Sequence, residues 1–138
     1  MSYRRMKRLA LTLVAVFMLP TAIQATFAPR SWFDDFPFGR GWVSSGGTYD
    51  EHLVRDVGVL YLALIIVTLW SVWRDELTTA VAIAWTVQGV LHITYHIGHL
   101  DELGTVDKIA LVGSLAVVPT LAVIAWWAGT QPDRGDRM

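Results

Sequence analysis

Four histidines and one aspartate are the residues best suited to chemistry in this chain of 138 residues, and their spacing groups them. His52 and Asp56 stand four apart, as do His92 and His96, with His99 three residues further on. Residues four apart on a helix are neighbours on one face. Two histidines at that spacing can share a metal ion, as they do in helical zinc motifs. His92 and His99 lie about 10.5 Å apart along a straight helix, too far to share one ion. One histidine then stays out, or two ions sit in line, or Gly98 lets the helix end unwind. Imidazole with carboxylate suits zinc, copper, iron or manganese. Haem held by His52 and one later histidine is a further option. The chain has no cysteine, which excludes disulfides, thiolate metal sites and cysteine nucleophiles.

The elements that must position these residues are membrane spans. Hydrophobic residues make up 54% of the chain and charged residues 17%, with a mean hydropathy of +0.44. That balance fits a membrane bundle better than a soluble domain. A formal charge of −1 gives no electrostatic case for nucleic acid. Four windows are long enough to cross a bilayer, at 9–28, 53–73, 77–100 and 109–128. Pro20 predicts a kink in the first, and Pro119 lies inside the fourth. So few spans must be helical, since a helix satisfies its own backbone hydrogen bonds in lipid. The expectation is an all-α, single-domain, four-helix membrane bundle over residues 1–138, with a polar tail at 129–138.

The first window has a second reading. Arg4, Arg5, Lys7 and Arg8 before an apolar core, with Ala22 and Ala25 after it, also fit a secretory signal peptide. The apolar stretch is long for that, and a retained helix is favoured. With the N-terminus in the cytoplasm, the inner side holds Arg4, Arg5, Lys7, Arg8, Arg74, Arg134 and Arg137. The outer side holds Arg30, Arg40, Arg55 and Lys108. This asymmetry places both termini in the cytoplasm and the protein in the cell membrane. Trp70, Trp73, Trp126 and Trp127 then fall at inner ends. The outer loop, 29–48, contains Trp32, Phe33, Phe36, Phe38 and Trp42. That many aromatics predict an ordered lid over the bundle mouth, or a loop dipped into the interface, and a surface for a protein partner.

Depth ties the histidines together. Rise per residue puts Asp56 about 12 Å below Thr48, and His92 about 13.5 Å in from Asp101. Antiparallel second and third helices would then present His52, Asp56, His92 and His96 at overlapping depths. Trp85, Gln88, His92, His96 and His99 form one stripe on the third helix. A polar stripe inside a span normally faces the bundle interior.

Plainer roles stand beside these. Thr48 with Glu51 three residues on is a capping box, and Asp50 and Glu51 suit the helix dipole. Thr105 and Asp107 cap the fourth helix in the same way. Arg55 and Asp56 can pair with interface groups, and a histidine can serve as hydrogen-bonded glue between helices.

The segment 42–58, followed by a helix ending His96-Ile97-Gly98-His99-Leu100-Asp101, resembles a group of actinobacterial four-helix membrane proteins. These are similar in size and layout to DoxX-like proteins. The resemblance covers nearly the whole chain and implies the fold, but it brings no reaction with it. Four histidines are too few for a desaturase-type di-iron site. The expected function is a histidine/carboxylate site near the outer face, formed by His52, Asp56, His92, His96 and His99, that binds a metal or redox cofactor. Asp101 is a peripheral candidate. The alternatives are a non-catalytic accessory or scaffold subunit of a membrane complex, and a proton- or lipid-handling protein without metal.

Overall fold

The computed structural model describes residues 2–132. Its order is α1 (Tyr3–Phe27), α2 (Pro29–Asp35), α3 (Glu51–Ser71), α4 (Thr78–Ile97) and α5 (Thr105–Thr130), with 3₁₀ turns at Ser44–Gly46 and Asp75–Leu77. The described residues contain no strand. Four segments, of 25, 21, 23 and 26 residues, are long and apolar enough to cross a bilayer. The four spans expected from the sequence are therefore α1, α3, α4 and α5. Large apolar residues such as Leu60, Ile66, Leu91 and Ile109 stand exposed on them. In a membrane bundle such side chains face lipid.

The helix ends depart from expectation in informative ways. α1 starts at Tyr3, with the Ser2 hydroxyl accepting from the Arg5 N–H at 3.3 Å. The basic cluster is thus inside the helix and not ahead of it. α3 is capped by Asp50, whose carboxylate accepts from the Leu53 N–H at 3.1 Å. Thr48 does not cap it, and Glu51 instead pairs with Arg55 at 2.9 Å. α5 begins after Gly104 with no side-chain cap. Asp107 turns away from the helix backbone to serve the loop. α1 continues as one helix through Pro20, and α5 through Pro119.

Packing is not in sequence order. α1 lies along both α3 and α5, and α5 along α4, whereas α3 and α4 touch over few residues. The core follows this arrangement. Leu11, Val14, Ala15, Met18 and Ala22 of α1 meet Ile65, Val81, Trp85, Val118, Ala122 and Ala125 from the other three spans. Two glycines set the closest approaches. A β-carbon on Gly58 of α3 would stand 2.5 Å from the Thr26 backbone nitrogen of α1. One on Gly89 of α4 would stand 2.7 Å from the Pro119 ring of α5. Small residues permit such contact, which is how helices gain dispersion energy where lipid removes the hydrophobic drive.

The loop between α1 and α3 is ordered and rich in buried aromatics. Pro29 opens α2, where a missing N–H loses nothing. Phe33 packs edge-on against Tyr49, ring centroids 5.3 Å apart, beside Ala25 and Val54. Trp42 is buried and donates its indole N–H to Asp107 at 2.9 Å, and Arg40 donates to the same carboxylate oxygen at 2.5 Å. Tyr95 of α4 donates to the Gly46 carbonyl at 3.2 Å. The loop therefore reaches across the bundle from α1 to α4 and α5. Phe38 is the exception: fully exposed, with φ +54°.

Candidate functional site: a polar seam between two loosely packed helices

The first half of the polar stripe on α4, Trp85 and Gln88, faces α3, whereas His99 at its far end is exposed beyond the helix. Trp85 is fully buried and donates its indole N–H to the Thr68 hydroxyl at 2.7 Å, and that hydroxyl donates in turn to the Leu64 carbonyl. The Tyr61 ring stacks on Trp85 with centroids 6.0 Å apart. One turn along α4, the Gln88 amide donates to the Tyr61 hydroxyl at 2.7 Å. The Trp85 indole, the Thr68 and Tyr61 hydroxyls and the Gln88 amide nitrogen in this deep half of the seam each have a partner, as burial in an apolar medium demands.

The seam then changes character. His92 and His96, both half-buried, stand edge to face with ring centroids 4.6 Å apart. Neither ring has a hydrogen-bond partner among the described residues. His99 lies beyond the end of α4, stacked on Tyr95 at 4.2 Å, with Nδ1 2.8 Å from the Tyr95 carbonyl. Gly98 ends the helix in a right-handed conformation, so the chain turns there without a left-handed cap.

His52 and Asp56 form a separate pair on α3, Nε2 to Oδ2 3.4 Å, with side chains 89% and 57% exposed. Asp101 is exposed in the turn before α5. The structure thus gathers the candidates into two pairs. Among the described residues, no three histidine, aspartate or glutamate side chains are grouped so as to hold one ion. The cause lies in the packing. Gly58 draws α3 onto α1, Gly89 draws α4 onto α5, and the two helices carrying the pairs make little contact. Rise per residue sets a group's height in the membrane and says nothing of the lateral distance to its neighbour.

Thr68 and Tyr61 complete the seam from the α3 side, and the sequence reading passed over them. Their signal is spacing: polar groups seven residues apart in an otherwise apolar run lie on one helix face. Arg55 contributes to the joint with α1, donating to the Thr26 carbonyl at 2.7 Å near the carbonyl end of that helix, where a cation is favoured. No protein-family model, curated protein or solved structure matches this chain.

Proposed function

We propose that this small multi-pass membrane protein binds a transition-metal ion at His92 and His96, at the end of the polar seam nearest the α1–α3 loop. One observation carries the reading. Trp85 and Gln88 use their polar atoms to join helices, whereas the two half-buried imidazoles one turn further on have no hydrogen-bond partner among the described residues. Glue would show paired contacts of about 2.7–3.2 Å. Uncommitted nitrogens four residues apart on a helix are a bidentate ligand for one ion. Two imidazoles without a thiolate suit zinc or copper(II), with water or substrate in the other positions. Both rings lie on one helix with centroids 4.6 Å apart. That favours a single ion over haem, whose axial ligands lie on opposite faces of the macrocycle. His52 and Asp56 could complete the set only if α3 moved toward α4, across the most loosely packed joint of the bundle.

The test is titration of the purified chain with zinc and copper(II), read by calorimetry and, for copper, by visible absorption. His92→Ala and His96→Ala should each weaken binding by more than the about 10–100-fold that loss of a partner behind a ligand produces. His99→Ala should bind like the parent. Protein that takes up neither ion would leave the accessory-subunit reading in its place.

For orientation we propose that both termini face the cytoplasm, on the strength of the basic cluster in α1. Thr48 and Thr130 are exposed at opposite ends of the bundle, and the chain has no cysteine of its own. An impermeant thiol reagent on intact cells should label Thr48→Cys and miss Thr130→Cys. The opposite pattern would invert the topology.

A further inference from the structure

The loop between α1 and α3 is fastened over the bundle at one point, where Arg40 and Trp42 both donate to Asp107 of α5. The tip just before it, at 36–39, lies instead against the outside of α1. There it shares the lining of a cavity of about 300 Å³ with Pro20 and Gln24. Both of those residues are exposed, and they fall on one helix face with Ile23 and Phe27, which are 43% and 73% exposed. That face belongs to a membrane span and is turned from the core, so it meets lipid. Counted from Ala28, where α1 ends, Gln24 lies about 6 Å and Pro20 about 12 Å back along the helix axis. A tip that shares their cavity reaches below the end of the span.

The tip also holds one ring outward. Phe38 is fully exposed, and its φ of +54° is one that bulky side chains rarely adopt. The backbone around it is tied in place. The Gly39 N–H donates to the Asp35 carbonyl at 2.6 Å, that of Arg40 to Pro37 at 3.0 Å and that of Trp42 to Phe36 at 2.8 Å. Strain that its surroundings maintain is a pointer to function. In water the outward ring would order solvent for no return, whereas in a bilayer its whole surface leaves water. Asp35 and Arg40 flank the tip, and Asp35 accepts from the Ser31 hydroxyl at 3.1 Å. These polar shoulders belong at headgroup level and hold insertion to the shallow depth of interfacial segments, about 5–10 Å. We propose that the tip is inserted into the lipid leaflet beside α1, with Phe38 among the upper acyl chains. The loop is then held at two points, by α5 on one side and by lipid on the other.

The chain has no cysteine, so single nitroxide labels can be placed through Phe38→Cys, Gln24→Cys and Thr48→Cys in full-length protein in phosphatidylcholine nanodiscs. Thr48 serves as the water reference, being exposed in the loop just ahead of α3. Power-saturation electron paramagnetic resonance compares collisions with oxygen, which concentrates in lipid, and with a neutral nickel chelate, which stays in water. The oxygen-to-nickel ratio at 38 should match that at 24 and exceed that at 48 severalfold. Phe38 is fully exposed, so its labelled variant should melt with the parent in detergent, and an altered ratio is not a lost fold. A ratio at 38 equal to that at 48 would overturn the proposal and leave the ring free for a protein partner. A ratio at 24 equal to that at 48 would overturn it too, because the cavity behind the tip would then hold water.

Discussion

Gly58→Ala should destabilise the bundle by about 1–3 kcal/mol, the usual range for overpacking a tight core, whereas Gly113→Ala should be neutral or stabilising. Both glycines lie inside long helices. Helix propensity alone favours alanine at either by about 1 kcal/mol, so propensity predicts the same sign for both. Sterics separates them. The new methyl at 58 meets the Thr26 nitrogen and hydroxyl at 2.5 Å and the Ala25 carbonyl carbon at 2.8 Å, while at 113 nothing lies within 4 Å. Backbone atoms cannot swing aside as a flexible side chain would, so α1 and α3 must separate. Separation also strains the Arg55 bond to the Thr26 carbonyl. Thermal unfolding in one detergent, followed by circular dichroism, reads the contrast directly. Equal melting temperatures for the two variants would rule out the close α1–α3 crossing.

Asp75→Ala should destabilise by about 2 kcal/mol, and Lys7→Met in the same chain should restore most of the loss. Lys7 is buried, and its partner Asp75 is the one carboxylate among the described residues that line the cavity beside it. Removing one member of a fully buried pair costs about 3–5 kcal/mol, because the other charge is left stranded. The Asp75 side chain is 61% exposed, so solvent screens the pair and the expected loss is smaller. Methionine refills the volume without the charge. The double variant should therefore melt above Asp75→Ala alone, and additive losses in this cycle would show that the two residues are not coupled.

How far the fold was legible follows from what each physical signal measures. An apolar run of about 20 residues reports a span whatever its neighbours are, so the four long helices were readable. The inward face of Trp85 and Gln88 was readable too, because the two share one side of the helix and each finds a partner on α3. The cap of α3 was misplaced because Thr48 and Asp50 are both good capping residues. Local chemistry ranks them closely, and it is Asp50 whose carboxylate meets the helix start, beside a Tyr49 held against Phe33. The lateral arrangement was the least legible feature. It rests on single close approaches, Gly58 to Thr26 and Gly89 to Pro119, which resemble any other glycine in an apolar run. For that reason the shared depth of the two histidine pairs could be derived and their separation could not.

The order of packing also constrains how the chain can be assembled. α3 and α4 emerge from synthesis as consecutive strokes of one hairpin, joined by the turn at Asp75–Leu77, yet each finds its main partner elsewhere. α3 can dock on α1 as soon as it enters the bilayer. α4 has the loose, hydrogen-bonded seam with α3, the Tyr95 bond to Gly46 and the Lys7–Asp75 pair at its entry to hold it until α5 follows. α5 then closes the bundle by joining α4 to α1, the last helix to the first. Contacts between segments so distant in sequence form late and slowly. In the finished bundle the Trp85–Thr68 and Gln88–Tyr61 bonds are the polar ties between these two consecutive helices. They hold the Trp85 and Gln88 face of α4 toward α3 and away from lipid.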